Sequence, residues 1–225
     1  MSFVDPHREQ MGAAIALEAE GQRLLLDGDE AAGAARLRAA AEHYRRSWEL
    51  APPGAYGRLI GMLKAAVIAG DPTEAAAYVR EQLAGVGAAS SPPAQAAGSP
   101  PAQAAGSPPA APAHSAPAAP AGSPPAHYAR AIAALVEDDD EAALEAARGM
   151  RAGSPAFGRA ADAVEGLARR DTEGYAAAVR AIVADFEARD EHLTGVPIAD
   201  TALMLERLAE PRGLAAHPAS ALLPA

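Results

Sequence analysis

The residues of this sequence best suited to chemistry are His192 and two carboxylates near it, Asp185 and Asp190. Asp185 and His192 are seven residues apart, so a helix over this stretch places both on one face. A histidine beside a carboxylate can transfer protons near neutral pH, so a small enzyme or a regulator that uses His192 with Asp185 or Asp190 is the alternative to a non-enzymatic binding protein. A solvated helix end, with the imidazole near the negative end of the helix dipole, explains the same residues without any reaction.

Other reactive arrangements find less support. The acidic run at residues 137–141 has carboxylates for a divalent cation, but it lacks the glycine and the alternating spacing of a calcium loop. Negative charge is also favoured at a helix start, which explains the run more simply. The six histidines include no pair at helical spacing, and the chain has no cysteine. We therefore expect no cofactor, no metal site and no catalytic residue.

Residue types that are common at protein interfaces cluster around one bend. Arg45 and Trp48 precede Pro52-Pro53-Gly54, and Tyr56 and Arg58 follow it. Trp, Tyr and Arg contribute binding energy at interfaces more often than other residues do. These four residues therefore predict a surface that binds a protein partner. The alternative is that Tyr44 and Trp48 simply fill core space in a chain with only 4% aromatic residues.

The composition limits the partners to be expected. The formal net charge is −10, so the chain has no basic excess with which to neutralise the phosphates of a nucleic acid. An acidic body favours encounter with a basic protein. No apolar run approaches the ~20 residues that cross a bilayer. Since the absence of cysteine also suits a reducing compartment, we expect a cytoplasmic protein without a membrane or nucleic-acid partner.

Repeated turn signals divide the chain into helices. In the turn at residues 70–74, Gly70 suits the end of one helix, while Asp71 and Pro72 suit the start of another. Similar acidic turns lie at 28–30, 138–141 and 170–173, each between runs with helical spacing. We predict an all-α protein of about nine helices in antiparallel hairpins.

A proline-rich segment divides these helices into two groups. No charged residue occurs between Glu81 and Arg130, and an octapeptide that begins at Ser91 recurs unchanged from Ser99. Dense proline removes backbone donors and favours solvated extended geometry, so we predict a disordered linker over residues 85–126. Helical hairpins then occupy residues 1–84 and 127–225. The linker either separates two units or interrupts one continuous stack.

The first turn and its flanking helices resemble the tetratricopeptide repeat. The residues that stand at the offsets of that repeat are Leu17, Gly21, Leu24, Gly28, Asp29, Leu37 and Ala40. The resemblance implies a stack of antiparallel helix pairs that binds other proteins. It weakens along the chain, because the position of Gly21 is taken by Leu63 in the next hairpin.

The C-terminal part is similar in layout to a second family. The segment 186–192, an apolar helix, Arg212-Gly213-Leu214 and the ending Leu222-Leu223-Pro224 resemble the helical immunity proteins of bacterial toxin systems, in the family called immunity protein 49. This resemblance implies that the chain neutralises a toxin by binding it. An acidic helical body suits a basic toxin.

Overall fold

The computed structural model describes residues 5–89, 120 and 122–224. Within these residues it contains nine α-helices, one short 3-10 turn and no strand. The helices are α1 Pro6–Leu26, α2 Glu30–Leu50, α3 Gly57–Ile68, α4 Thr73–Ala89, α5 Pro124–Val136, α6 Asp140–Met150, α7 Pro155–Ala168, α8 Thr172–Glu187 and α9 Asp200–Ala209. The prediction of an all-α fold is thus confirmed for the part of the chain described.

The turns recognised in the sequence share one backbone geometry. The residue in the left-handed region is Gly28, Gly70, Asp138 or Arg170, with φ of 84°, 83°, 56° and 56°. In all four turns, the N–H of the next residue donates to the carbonyl five positions earlier, at 2.8–3.0 Å. This arrangement satisfies carbonyl groups at the end of one helix just before the next helix begins.

Acidic side chains start three of the helices, as predicted. The carboxylates of Asp29, Asp139 and Asp171 each accept a hydrogen bond of 3.0–3.1 Å from the backbone N–H three residues later. These bonds satisfy an amide that has no partner inside its helix. Asp71, the residue at the same place in the remaining turn, pairs with Arg38 of α2.

The helices pack mainly in chain order. Each helix from α1 to α8 contacts the next, and α3 and α7 both contact α5 as well. Helix α9 packs against α3, α7 and α8, so it touches helices from both sides of the proline-rich segment. One hydrophobic core consequently runs through both groups. None of the described helices combines the length and apolar character required to traverse a bilayer.

The predicted linker overlaps helices at both ends. Helix α4 continues to Ala89, and α5 begins at Pro124 rather than near Tyr128. Ala126 is fully buried, so it belongs to the core, contrary to the prediction for the end of the linker. Pro124 occupies the first helical position, where its missing N–H costs nothing. The rest of that prediction, disorder over residues 90–119 and 121, lies outside the described residues.

The buried face of α1 also differs from the prediction. The helical spacing of Met11, Ile15, Leu17, Leu24 and Leu25 predicts an apolar inward face, but of these five only Leu25 is buried and the others are partly buried. Glu18 and Gln22 are instead almost fully buried, at 2% and 1% exposure, together with Ala14 and Leu25. In α8 the helical spacing of Tyr175, Val179, Ile182, Val183 and Phe186 also predicts an inward face, and all five are buried. The polar face of α1 must therefore find partners inside the protein.

Candidate functional site

Two of the residues predicted to bind a partner form an aromatic pair where α2 gives way to α3. The ring centroids of Trp48 and Tyr56 are 5.7 Å apart. Tyr56 is only 2% exposed, whereas Trp48 is half-buried and its Nε1 donates to Gln82 Oε1 at 3.2 Å. Tyr56 thus belongs to the core and packs against Trp48, and Tyr44, which the alternative interpretation placed in the core, is 1% exposed.

Arg45 lies on the same helix and is held by its neighbours. Its guanidinium contacts Glu49 at 3.3 Å and Glu74 at 3.1 Å. It also lies over the ring of Tyr78, 4.5 Å from the centroid. These contacts fix a half-exposed side chain in one place on the surface.

Arg58 has a different environment from the other three. Its Nε donates to Ser47 Oγ at 2.7 Å, and that hydroxyl donates to the carbonyl of His7 at 2.7 Å. Burial lowers the pKa of Arg58, with a further contribution from the charge of Arg8. Arg58 therefore connects α3 to α2 and α1.

Sequence reasoning missed Leu50, the last residue of α2. Leu50 is 55% exposed, and Leu193 is the other large hydrophobic side chain that is strongly exposed in the described residues. The sequence feature that could have identified Leu50 is its position two residues after Trp48, because a helix turns such a residue away from the buried face. We call the three exposed or half-exposed residues Arg45, Trp48 and Leu50, which lie in the last two turns of α2, the α2-end surface.

The histidine singled out in the sequence, His192, lines a cavity of about 280 Å³, the His192 cavity. Its walls come from α1, α3, α5, α7, α8, α9 and the segment between α8 and α9. The residues that line it are Gln22, Ile60, Lys64, Tyr128, Ala156, Phe157, Arg159, Ala160, Ile182, Asp185, Phe186, Arg189, His192, Leu193, Thr194, Val196, Ile198, Asp200 and Thr201. Most of its apolar lining residues are buried or half-buried.

The structure does not bring His192 and its predicted carboxylates together as a proton-transfer pair. Asp185 binds Arg159 through one oxygen and Arg189 through the other, the second contact at 2.5 Å. The hydrogen bond from Arg189, aided by Arg159, lowers the pKa of Asp185. Within the described residues, no hydrogen bond or ion pair joins His192 to Asp185 or Asp190.

The imidazole of His192 is placed by an aromatic contact instead. Its ring stacks on Phe186, with centroids 6.2 Å apart and planes inclined by 28°. The Nδ1 atom of His192 is buried and has no hydrogen-bond partner. A buried ring nitrogen without a partner is uncommon, so this atom is available to a ligand in the cavity.

The more buried end of the cavity contains an ion pair that sequence reasoning did not predict. The ammonium of Lys64 binds the carboxylate of Asp200, and Thr201 Oγ1 donates to the same carboxylate at 3.2 Å. Burial opposes the charge of Lys64, but Asp200 and Glu18 together raise its pKa above the ordinary value. Burial raises the pKa of Tyr128 to about 12, against the influence of Lys64. The clue in the sequence was a lone lysine within an apolar helix.

A second buried network lies next to this ion pair and involves α1. Tyr44 donates to Glu18 Oε2 at 2.5 Å, and Gln22 Nε2 donates to Glu18 Oε1 at 3.3 Å. Thr194 then donates to Gln22 Oε1 at 2.5 Å. Burial raises the pKa of Glu18, with Lys64 and Tyr44 acting in the opposite direction. This network explains why α1 buries polar residues, and it ties α1 to the segment before α9.

The acidic run at residues 137–141 has structural roles. Asp139 caps α6, and Glu137 pairs with Arg80 at 3.1 Å. Asp138 pairs with the buried Arg212 at 2.6 Å. In the residues that the structure describes, no group of three His, Asp or Glu side chains is arranged to hold a metal ion.

The two sites meet solvent in different ways. The α2-end surface is open, whereas the His192 cavity lies between helices and is reached past partly exposed Arg159 and Arg189. No protein-family model, no curated protein and no solved structure matches this chain. The function therefore follows from the geometry of these two sites.

Proposed function

We propose that this chain is a non-enzymatic protein-binding scaffold of stacked helical hairpins and that the partner contacts its α2-end surface. The observation that carries the proposal is the 55% exposure of Leu50 at the end of α2, two residues after Trp48. An exposed leucine gains free energy when a partner covers it, and Trp and Arg are the side chains that most often contribute strongly at interfaces.

The α2-end surface is also preorganised. Arg45 is held by two carboxylates and the ring of Tyr78, and Trp48 is held by Tyr56 and Gln82. Side chains that are already fixed lose little conformational entropy when they bind. In this proposal Tyr56 and Arg58 support the surface, while Arg45 and Trp48 touch the partner.

The helix arrangement supports a repeat scaffold. Four turns share one hydrogen-bonding geometry, and successive helices pack on each other. At the first of these turns α1 and α2 approach closely, since a Cβ on Gly21 would lie 2.9 Å from Leu37 Cγ. These features are typical of stacked helical pairs such as the tetratricopeptide repeat. A basic toxin as the partner is the more specific form of the proposal, favoured by the net charge of −10.

Binding is preferred over catalysis because of the state of Asp185. A general base needs a carboxylate or imidazole within reach of the group that it deprotonates. The two oxygens of Asp185 are each engaged by an arginine, so this carboxylate does not orient or activate His192. A structural role, in which Asp185 binds Arg159 and Arg189, explains both of its ion pairs.

The test is a binding measurement with variants of one exposed residue. A partner is captured from the native cell with the unmodified chain, identified by mass spectrometry, purified, and titrated by calorimetry. Leu50→Asp is expected to weaken its binding at least ~10-fold, because a charge replaces buried apolar area in the complex. The matched control is Leu193→Asp, which alters a leucine that is 75% exposed elsewhere on the molecule and should leave the affinity unchanged.

Two outcomes would contradict the proposal. One is an unchanged affinity for Leu50→Asp when its circular dichroism and melting match those of the unmodified chain. The other is an equal loss of affinity for both variants, which would place the contact away from the end of α2. Trp48→Leu provides a second variant on the same surface and is expected to weaken binding in the same direction.

A further inference from the structure

We propose that the His192 cavity is a binding site for a small monocarboxylic acid with an apolar body. This site differs from the α2-end surface in residues, shape and ligand, so it adds a second binding activity to the proposed scaffold. Its support comes from the size of the cavity, the balance of charge around it and the buried polar atoms that lack partners.

The size and walls of the cavity suit a small apolar molecule. Its volume of about 280 Å³ is nearly twice the ~150 Å³ that accommodates benzene in a protein core, which corresponds to roughly ten non-hydrogen atoms. Phe157, Ile182, Phe186 and Val196 supply apolar walls. Such walls favour a flat or flexible hydrocarbon body over a sugar or a nucleotide.

The charges around the cavity favour an anion. Lys64, Arg159 and Arg189 carry positive charge there, and Asp185 and Asp200 are the only carboxylates in the lining. The lining thus has an excess of one positive charge in a chain whose net charge is −10. Glu18 lies near Lys64 but outside the lining, and burial raises its pKa, which favours its neutral form. A ligand with a single negative charge completes the balance.

The two arginines at the more exposed end have donors to spare for a carboxylate. Arg159 and Arg189 each contact Asp185 through one nitrogen, Nη2. A guanidinium has five N–H donors in a planar fork, so the remaining donors can bind a second carboxylate. Arg189 is also stacked on Phe186, with its central carbon 3.8 Å from the ring centroid, which fixes the direction of that fork.

Buried polar atoms without partners lie at both ends of the cavity. At one end His192 Nδ1 has no hydrogen bond. At the other end the Tyr128 hydroxyl lies near Thr201 but makes no hydrogen bond of normal geometry. A ligand carboxylate can accept from the imidazole N–H of His192 and so satisfy a group that the protein leaves unsatisfied.

The experiment titrates the full chain with matched acids and amides. The probes are benzoate, 3-phenylpropionate and octanoate, each paired with its neutral amide of almost the same shape. Binding is followed by two-dimensional NMR. At least one acid is expected to bind with Kd below about 1 mM, and its amide at least ~10-fold more weakly. The shifted resonances should include Phe186 and His192.

Two arginine variants locate the binding. Arg189→Gln is expected to weaken the acid at least ~10-fold, because it removes the charged fork. The control is Arg169→Gln, since Arg169 pairs with Glu165 four residues earlier, as Arg189 does with Asp185, but lies outside the cavity. The control should bind the acid as the unmodified chain does.

Several results would overturn this proposal. They are the absence of any acid with Kd below about 1 mM, equal binding of acids and amides, and equal effects of the two arginine variants. If Arg189→Gln fails to fold, Ala160→Leu fills the cavity from a buried wall position and should abolish binding. Leu50→Asp should leave acid binding unchanged, which distinguishes a failure of this site from a failure of the α2-end surface.

Discussion

Replacing Lys64 with methionine is expected to lower the free energy of unfolding by about 3–5 kcal/mol. Methionine keeps most of the side-chain volume but removes the charge that pairs with Asp200 and lies near Glu18. Both carboxylates are almost fully buried, at 9% and 2% exposure. Leaving buried carboxylates without their cation carries a large desolvation penalty. Urea unfolding followed by circular dichroism measures the effect.

An exposed ion pair serves as the control for this prediction. Arg169→Met breaks the contact between Arg169 and Glu165, in which the arginine side chain is 58% exposed. Such surface pairs contribute little, so the change should stay below about 1 kcal/mol. A cost for Lys64→Met as small as that of the control would mean that the buried ion pair does not stabilise the fold.

Gly166→Ala in α7 is expected to destabilise the protein by about 3 kcal/mol. A Cβ at this position would lie 2.7 Å from both the backbone N and the Cα of Tyr175 in α8. Main-chain atoms of a packed helix cannot move aside as a flexible side chain can, so α7 and α8 must separate. The measurement is the urea midpoint, with the slope of the transition checked for two-state behaviour.

The same helix offers a matched control. Gly158 lies in α7, and a Cβ added there would meet nothing within 4 Å. Gly158→Ala should therefore stabilise the protein by about 0.5–1 kcal/mol, because alanine favours the helix more than glycine does. Effects of the same sign for the two substitutions would contradict close packing of α7 on α8.

The sequence was sufficient for those features of the fold that local interactions decide. Asp29, Asp139 and Asp171 cap the helices that follow them, since a capping carboxylate reaches only its own first turn. The apolar face of α8 was predicted correctly because one period of 3.6 residues runs through the whole helix. The apolar residues that recur at this spacing in α8 are the ones that the fold buries.

The buried polar groups were not predictable in the same way. Lys64 and Asp200 are 136 residues apart, and Thr194 lies 172 residues from Gln22. Neither pairing has any local signature, so a polar residue in α1 reads as solvent-exposed until the packing of the segment before α9 is known. The His192 cavity was missed for the same reason, since seven parts of the chain build it.

Two misjudged residues show how composition can obscure local signals. Ala126 follows a proline-rich stretch, yet Ser123 and Pro124 start a helix there and bury it. Tyr56 belongs to a group of residues typical of interfaces, but it is buried against Trp48. Residue type alone does not distinguish an aromatic side chain of the core from one at a binding surface.

The central structural claim is that the helices on both sides of the proline-rich segment form one body, joined by Lys64 and Asp200. A double-mutant cycle of Lys64→Met and Asp200→Leu, measured by urea unfolding, tests it most directly. If the ion pair is formed, the double variant should recover at least about 2 kcal/mol relative to the sum of the single losses. Losses that add to within about 0.5 kcal/mol would show that the two side chains do not interact and would contradict the account.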